Sequence, residues 1–231
     1  MKQLGYALYM AIMAVTCGLI LLTPLLAESG NHSLADALYF IGGTSCHQLT
    51  ERSLCLFHPA SGYSISDCGG PTYSKANTVE QDGVIGYKLP VCARDVGIYF
   101  AMLLGGIALF FVKRTKDTEW PSPFILIAFL IPMGIDGGTQ LLSLELANYG
   151  IVIPGIGVRE STNFLRLLTG SLAGFAVAFY LVPMLNRLIE SITHRANEKR
   201  PAKEVARKEA TKEPYTQPPT KMPPAKHQTR H

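Results

Sequence analysis

Apolar residues in this chain fall in long blocks, and four of the blocks have the length of a membrane-spanning helix. The first, 4–27, holds no charged residue. Its 24 residues at about 1.5 Å each reach roughly 36 Å, more than a hydrocarbon core of about 30 Å. A cleaved signal peptide is the rival reading. Signal cores run about 7–15 residues and end at a small-residue cleavage site, which this segment lacks, so a retained span is expected. The second block, 96–112, is uncharged and is ended by Lys113, Arg114 and Lys116. The third is apolar over 124–135, meets Asp136, then continues to Leu144. Pro132 and Gly134 loosen the helix just before that acid. A lone carboxylate inside a span is costly enough to need a reason. The fourth block, 167–185, starts just after Asn163 and Arg166, and its Gly170, Ala173, Gly174, Ala176 and Ala178 suit close helix packing.

The segments between the blocks read differently. Ser33, with Asp36 three residues on, starts a short helix whose Leu34, Ala37, Leu38 and Ile41 share one face, as in a helix lying at the membrane interface. Residues 44–95 carry turn signals at Pro59, Gly62, Gly69-Gly70-Pro71, Asp82-Gly83 and Gly86 and read as loop, with a small hairpin around 84–89. Residues 147–161 form a short Gly/Pro loop. Beyond about residue 196 the chain is rich in Pro, Lys, Glu and Thr and is expected to be disordered. The fold expected is an all-α integral membrane protein. It has four transmembrane helices, a loop-rich extracytoplasmic cap and a disordered cytoplasmic tail, divided as 1–27, 28–95, 96–190 and 191–231.

Composition agrees. Charged residues make up 16% of the chain, against about 25% in a soluble domain, and hydrophobic ones 48%. The net charge of +4 is unevenly placed: from Arg187 onward, eleven basic and five acidic residues give the tail +6 and leave −2 for the rest. A basic tail after a span marks a cytoplasmic end. Putting 113–116 and the tail in the cytoplasm puts the N-terminus there too, with 28–95 and the 147–161 loop outside. The spans exclude a soluble nucleic-acid binder. Membrane lipids, and membrane protein partners if the chain is a subunit, are the expected contacts.

With that topology, four chemistry-bearing stretches meet at the outer face: Cys46-His47-Gln48, Cys92-Ala93-Arg94-Asp95, Asp136-Gly137-Gly138-Thr139-Gln140 and Asn163-Phe164-Leu165-Arg166. Three readings of the cysteines stay open. Cys46, His47, Cys92 and Asp95 are plausible metal ligands. Zinc accepts S, N and O donors, and Cys92-x-x-Asp95 is a metal-type spacing with one thiolate exchanged for a carboxylate. Alternatively, four cysteines in one extracytoplasmic loop imply disulfides, most simply Cys46–Cys92 and Cys55–Cys68. In the third reading, Cys92 beside Arg94 exchanges with Cys46 in thiol redox chemistry. Cys17, inside the first span, reads as a small apolar residue. Asp136 and Arg166 either pair to make insertion tolerable or, with Asp95, act as catalytic groups. Gln48, Arg94, Thr139, Gln140 and Asn163 complete the polar set; Arg94 and Arg159 either draw lipid phosphates or, more simply, snorkel to the interface.

The same stretches resemble an uncharacterised prokaryotic family of polytopic membrane proteins, domain of unknown function 2085. The resemblance covers roughly residues 35–185. The family pattern has Cys-His-Gln near an Arg (here Arg52), a Pro-Val-Cys-Ala-Arg-Cys segment, Asp-Gly-x-Thr-Gln, and Asn-x-Leu-Arg-x-x-Thr-Gly. This chain departs at Asp95, where the pattern often has cysteine, and carries a longer first loop containing Cys55 and Cys68. The resemblance implies a small multi-pass membrane protein and supplies no activity. Two function classes follow from the residues: an enzyme or binding site for a lipid-linked substrate, metal-dependent if zinc is held, or a non-catalytic membrane subunit with a disulfide-stapled outer loop.

Overall fold

The structure, a computed structural model, describes residues 3–44, 46–70, 73–151 and 157–210, with backbone only for 196–210. Among the described residues, four helices have the length and apolarity of membrane spans: α1 (Leu4–Glu28), α3 (Ala93–Phe111), α4 (Pro123–Asn148) and α5 (Asn163–Ala210), the last over Asn163–Arg195. A shorter helix, α2 (His32–Gly43), follows α1. Residues Met1–Glu190 form one compact unit. In the second, from Ser191, the backbone is helical as far as Ala210, and the rest of the expected tail lies outside the described residues.

The all-α expectation is overturned. Within 44–95 the chain builds a four-stranded antiparallel sheet from β1 (Ser53–Phe57), β2 (Ser64–Asp67), β3 (Thr78–Gln81) and β4 (Val84–Cys92), in the order β2-β1-β4-β3. The strands escape a reading by periodicity because the two edge strands are four residues long and polar. β2 is Ser-Ile-Ser-Asp, exposed along its whole length, and β3 is Thr-Val-Glu-Gln. Antiparallel pairing needs only one buried face, so such edges carry little apolar signal. The central pair supplies the core. The Cys55–Cys68 disulfide packs with Phe57 against Val79 and Val84. The β3–β4 turn is made by Asp82 and Gly83, both at positive φ, the geometry that Asp-Gly favours in a two-residue hairpin.

Three spans pack around a shared core. Tyr9 and Met13 of α1 meet Met102 and Leu109 of α3 and Ala178 and Val182 of α5. The Tyr9 hydroxyl donates to the Met102 carbonyl at 2.7 Å, so the one polar atom of that ring is satisfied inside the bundle. α3 and α5 approach at backbone contact: a Cβ on Gly97 would strike the Leu167 carbonyl, and one on Gly174 the Ile98 carbonyl. Lipid offers no hydrophobic drive for helix association, so this small-residue fit supplies the packing energy.

α4 behaves differently. Its buried residues are Asp136, Gln140 and Ser143, which share one face at helical spacing, while Ile125, Ile127, Ile131, Ile135, Leu141 and Leu142 are exposed. The C-terminal half of this helix is held by a polar stripe, while Leu126, Phe129, Leu130 and Met133 in the N-terminal half are half-buried.

The Gly174→Leu variant is expected to force α3 and α5 apart and to cost about 2 kcal/mol or more, the range for overpacking a tight contact. Gly138→Leu, where an added Cβ meets nothing within 4 Å, is the control and should be neutral. Unfolding of both variants in detergent, followed by helical signal, checks the pair.

Candidate functional site

β4 runs into α3 without a connecting loop. Cys92 is the last residue of the strand and the N-cap of the helix, and Asp95 stands in the first turn, where an acid is favoured by the helix dipole. Three residues apart on that turn, the Cys92 thiol donates to Asp95 Oδ2 at 3.3 Å. Cys46 arrives from the other side, on the segment leaving α2, with its backbone N–H bonded to the Gly42 carbonyl at 3.2 Å. The sulfurs of Cys46 and Cys92 and a carboxylate oxygen of Asp95 lie within 4.8 Å of one another.

Gln48 fixes this approach. It adopts a left-handed backbone conformation, φ 53°, unusual for a residue other than glycine. Its backbone N–H points to Cys46 Sγ at 3.4 Å. Its side-chain amide donates to the carbonyls of Tyr39 at 2.6 Å and Pro90 at 2.7 Å, tying α2 to β4. Its own carbonyl accepts from the ammonium of Lys88 at 2.8 Å. Lys88 is fully buried, and its other partner is the Lys75 carbonyl at 3.3 Å. Burial pulls its pKa down to about 8, with the Cys46 sulfur opposing.

The thiols are unlike each other. A hydrogen bond from Cys92 holds Cys46 down at about 7, against the opposing effect of burial. Cys92, the donor in that bond, is pushed up by it and by its own burial. The two thiols therefore titrate as a pair, the first proton leaving below the ordinary thiol range and the second above it, while the Cys92 S–H faces Asp95.

Of the two disulfides expected, Cys55–Cys68 is formed, while Cys46 and Cys92 are free thiols. His47, expected as a ligand, is exposed and brings no atom into the cluster. Cys17 is buried in α1.

A second polar centre adjoins the first through Arg94, the neighbour of Asp95. Arg94 Nη2 donates to Asp136 Oδ2 at 2.6 Å, and Arg159 Nη2 to Asp136 Oδ1 at 3.0 Å. The Ser161 hydroxyl reaches the same carboxylate at 2.8 Å. Arg159 also bonds to Thr139, whose hydroxyl donates to the Ile135 carbonyl at 2.6 Å. Asp136 does not pair with Arg166, the partner considered from sequence. Arg166 bonds instead to Glu160, to Gln140 Oε1 at 3.3 Å and to Asn163 Oδ1 at 3.3 Å. Glu160 is also gripped by Arg52 at 2.9 and 3.2 Å and by Gln140 Nε2 at 3.0 Å. Asn163 closes the circuit by donating to the carbonyls of Glu51 and Ser53 at 3.1 and 3.3 Å.

Sequence reasoning missed Glu160, Ser161 and Lys88 as members of these centres. The signal for the first two is the polar run from Arg159 to Asn163 directly before an apolar span. For Lys88 it is a lone cation between Tyr87 and Leu89 in an otherwise apolar strand.

A family model described as "Predicted membrane protein (DUF2085)" matches residues 84–180, the stretch that runs from β4 into α5 and carries Cys92, Arg94, Asp95, Asp136, Arg159, Glu160 and Arg166, while Cys46 and Arg52 lie before it. An uncharacterized protein of Methanocaldococcus jannaschii is 34% identical over 175 residues, covering 74% of this chain and 85% of that protein. An uncharacterized protein of Methanothermobacter thermautotrophicus is 36% identical over 106 residues, 45% of this chain and 78% of that one. No solved structure matches the chain. With its four apolar helices and this match, the chain belongs to the predicted membrane protein family DUF2085.

Proposed function

We propose that this membrane protein binds a divalent, thiol-seeking metal ion of the zinc type through Cys46, Cys92 and Asp95, as a centre for a lipid-linked substrate. The observation that carries the reading is the convergence of two sulfurs and a carboxylate oxygen within 4.8 Å, from two segments that Gln48 locks together. The donor set fits: zinc takes thiolate and carboxylate ligands, and three protein ligands leave a position open. When bound, such an ion supplies Lewis acidity at that position. Charge fits too. Two thiolates and a carboxylate around a divalent ion leave one negative charge, and the buried Lys88 ammonium, held by carbonyls, supplies the balancing cation. The proton that Cys92 shares with Asp95 leaves when the metal arrives.

A lipid-linked substrate is supported by an apolar groove of about 270 Å³ between α1, α2, β4 and α3. Leu19, Ile20, Leu38, Ile41, Pro90 and Val91 line it, and its wall is the backbone that leads to both thiols. An aliphatic chain in the groove would bring its head towards the metal centre. The extracytoplasmic side is favoured for this face because it carries the Cys55–Cys68 disulfide, and because the basic 113–116 segment follows α3 at the opposite end.

Elemental analysis with a thiol count on the detergent-purified chain tests the centre. About one metal per chain is expected from a three-ligand site. Cys46→Ser and Cys92→Ser should abolish it, Asp95→Asn should weaken it about tenfold or more, and Cys17→Ser should leave it unchanged. Asp95→Cys should keep or tighten binding. Metal-free wild type with Cys46 and Cys92 joined would replace the metal with a dithiol–disulfide couple.

Lys88 gives a pH test on the metal-free protein. Its folded pKa, about 8, lies below the ordinary 10.5, so the unfolded chain holds the proton more tightly. The cost of the buried charge is full below pH 8 and is relieved between about 8 and 10.5. Wild type should therefore gain on Lys88→Met across that window, by up to about 3 kcal/mol. Denaturant unfolding at stepped pH checks it, and parallel curves for the two proteins would remove Lys88 as a buried cation.

A further inference from the structure

We infer that the arginine cluster at the starts of α3 and α5 binds a phosphate group, the chemistry shared by anionic lipid headgroups and free phosphate. The inference deepens the lipid-linked reading of this end of the protein and makes no use of the metal.

Charge is the first observation. Arg52, Arg94, Arg159 and Arg166 face Asp136, Glu160 and the more distant Glu51, which is 3.9 Å from Arg52. Asp95, beside Arg94 in sequence, turns to Cys92. The cluster is left with a surplus cation in a part of the molecule where a bare charge is expensive. The positive ends of two helices add to it, since Arg94 and Arg166 lie in the first turns of α3 and α5.

Donor capacity is the second. A guanidinium offers five N–H groups. Among the described residues, the Arg94 side chain makes one hydrogen bond, to Asp136, and the Arg159 side chain makes two, to Asp136 and Thr139. Arg94 Nε is buried without a partner. Both side chains keep a path outward, at 24% and 32% exposure. The carboxylates, by contrast, are crowded: Glu160 takes bonds from Arg52, Gln140 and Arg166, and Asp136 from two arginines and Ser161. A cluster with saturated acceptors and unused donors recognises an anion. Phosphate, with its several acceptor oxygens, matches the planar forks of two arginines.

Position names the source expected. Val158 and Phe164, beside Arg159 and Arg166 in the chain, and Tyr149 and Ile151 at the end of α4 are exposed, Tyr149 at 80%. Aromatic and apolar side chains beside arginines at the start of a span are the pattern of the headgroup layer.

Retention of lipid by the purified full chain tests this, with phosphatidylglycerol and phosphatidylcholine as probes and native mass spectrometry as the readout. Wild type should prefer phosphatidylglycerol by about tenfold, the order of one charge-assisted contact. Arg159→Gln should bring it to the phosphatidylcholine level, and Arg159→Lys should keep part of the preference. Arg114→Gln, whose partner is Asp117 beyond the end of α3, should change nothing. Cys46→Ser should keep the full preference, which separates this site from the proposed metal centre. Displacement by inorganic phosphate supports the site and assigns it to the free anion; resistance to phosphate assigns it to the lipid. Should Arg159→Gln fail to fold, a photoreactive phosphatidylglycerol on wild type decides the matter. Labelling within 149–166 supports the site. Labelling elsewhere, or an absence of preference in wild type, overturns it.

Discussion

The direct passage of β4 into α3 is the constraint on which both polar centres depend. With no loop between strand and helix, Cys92, Arg94 and Asp95 sit within one turn whose direction is fixed from both sides. The sheet ladder, through the Ser53–Cys92 pairing, fixes one side, and the packing of Gly97 against α5 fixes the other. Helical geometry then separates the roles. Asp95, three residues after Cys92, returns to the thiol, while Arg94, turned by about 100°, crosses to Asp136. A loop here would have let either side chain relax to solvent. The fully buried Ala93 leaves no room for one.

The arginine network answers a problem that α4 creates. A span whose fully buried residues are Asp136, Gln140 and Ser143, with Leu126, Phe129, Leu130 and Met133 only half-buried, gains less from apolar packing within the chain than its neighbours do. Its attachment rests on charged and amide hydrogen bonds, which strengthen as water is excluded and cost heavily if one partner is removed. The residues that answer the stripe come from the cap (Arg52), from α3 (Arg94), from the loop before α5 (Arg159, Glu160, Ser161) and from α5 itself (Arg166). Four separate parts of the chain are therefore cross-linked by one continuous set of bonds. The same set that holds α4 carries the surplus positive charge, so anchoring and anion recognition draw on the same guanidinium groups.

Much of this was legible in the sequence. The four spans follow from apolar block length, and the meeting of the Cys46, Cys92, Asp136 and Arg166 stretches at one end follows from antiparallel connection of those spans. The sheet was not legible. Its edge strands are short and polar, and Gly and Pro punctuation over 44–95 reads equally as irregular loop. Pairing inside the polar centre was hidden for another reason. Asp136 and Arg166 are the charges that interrupt apolar runs, so they suggest each other. Glu160 and Arg159 stand in a loop where charge is ordinary, and only the fold brings them against the buried Arg166 and Asp136. His47 carried the opposite error. Next to Cys46 it looks like a ligand, but the Gln48 N–H draws the Cys46 sulfur into the half-buried cluster, while His47 is exposed and brings no atom to it.

Asp95 is the residue that separates the competing accounts of the thiols. In a disulfide between Cys46 and Cys92 it would lose its thiol partner and keep only the helix dipole. The bridge removes the S–H that the carboxylate now accepts, and leaves a half-buried anion beside a neutral bond. In a metal centre it is a ligand. Carboxylate and thiolate are interchangeable as anionic donors to zinc and are not interchangeable as partners in a disulfide. Cys55 and Cys68 make the contrast within one molecule: fully buried among Phe57, Val79 and Val84, they close into a bridge. The open pair is the one that has an acid on one side and a buried ammonium on the other, an environment built around charge that a neutral disulfide would not carry.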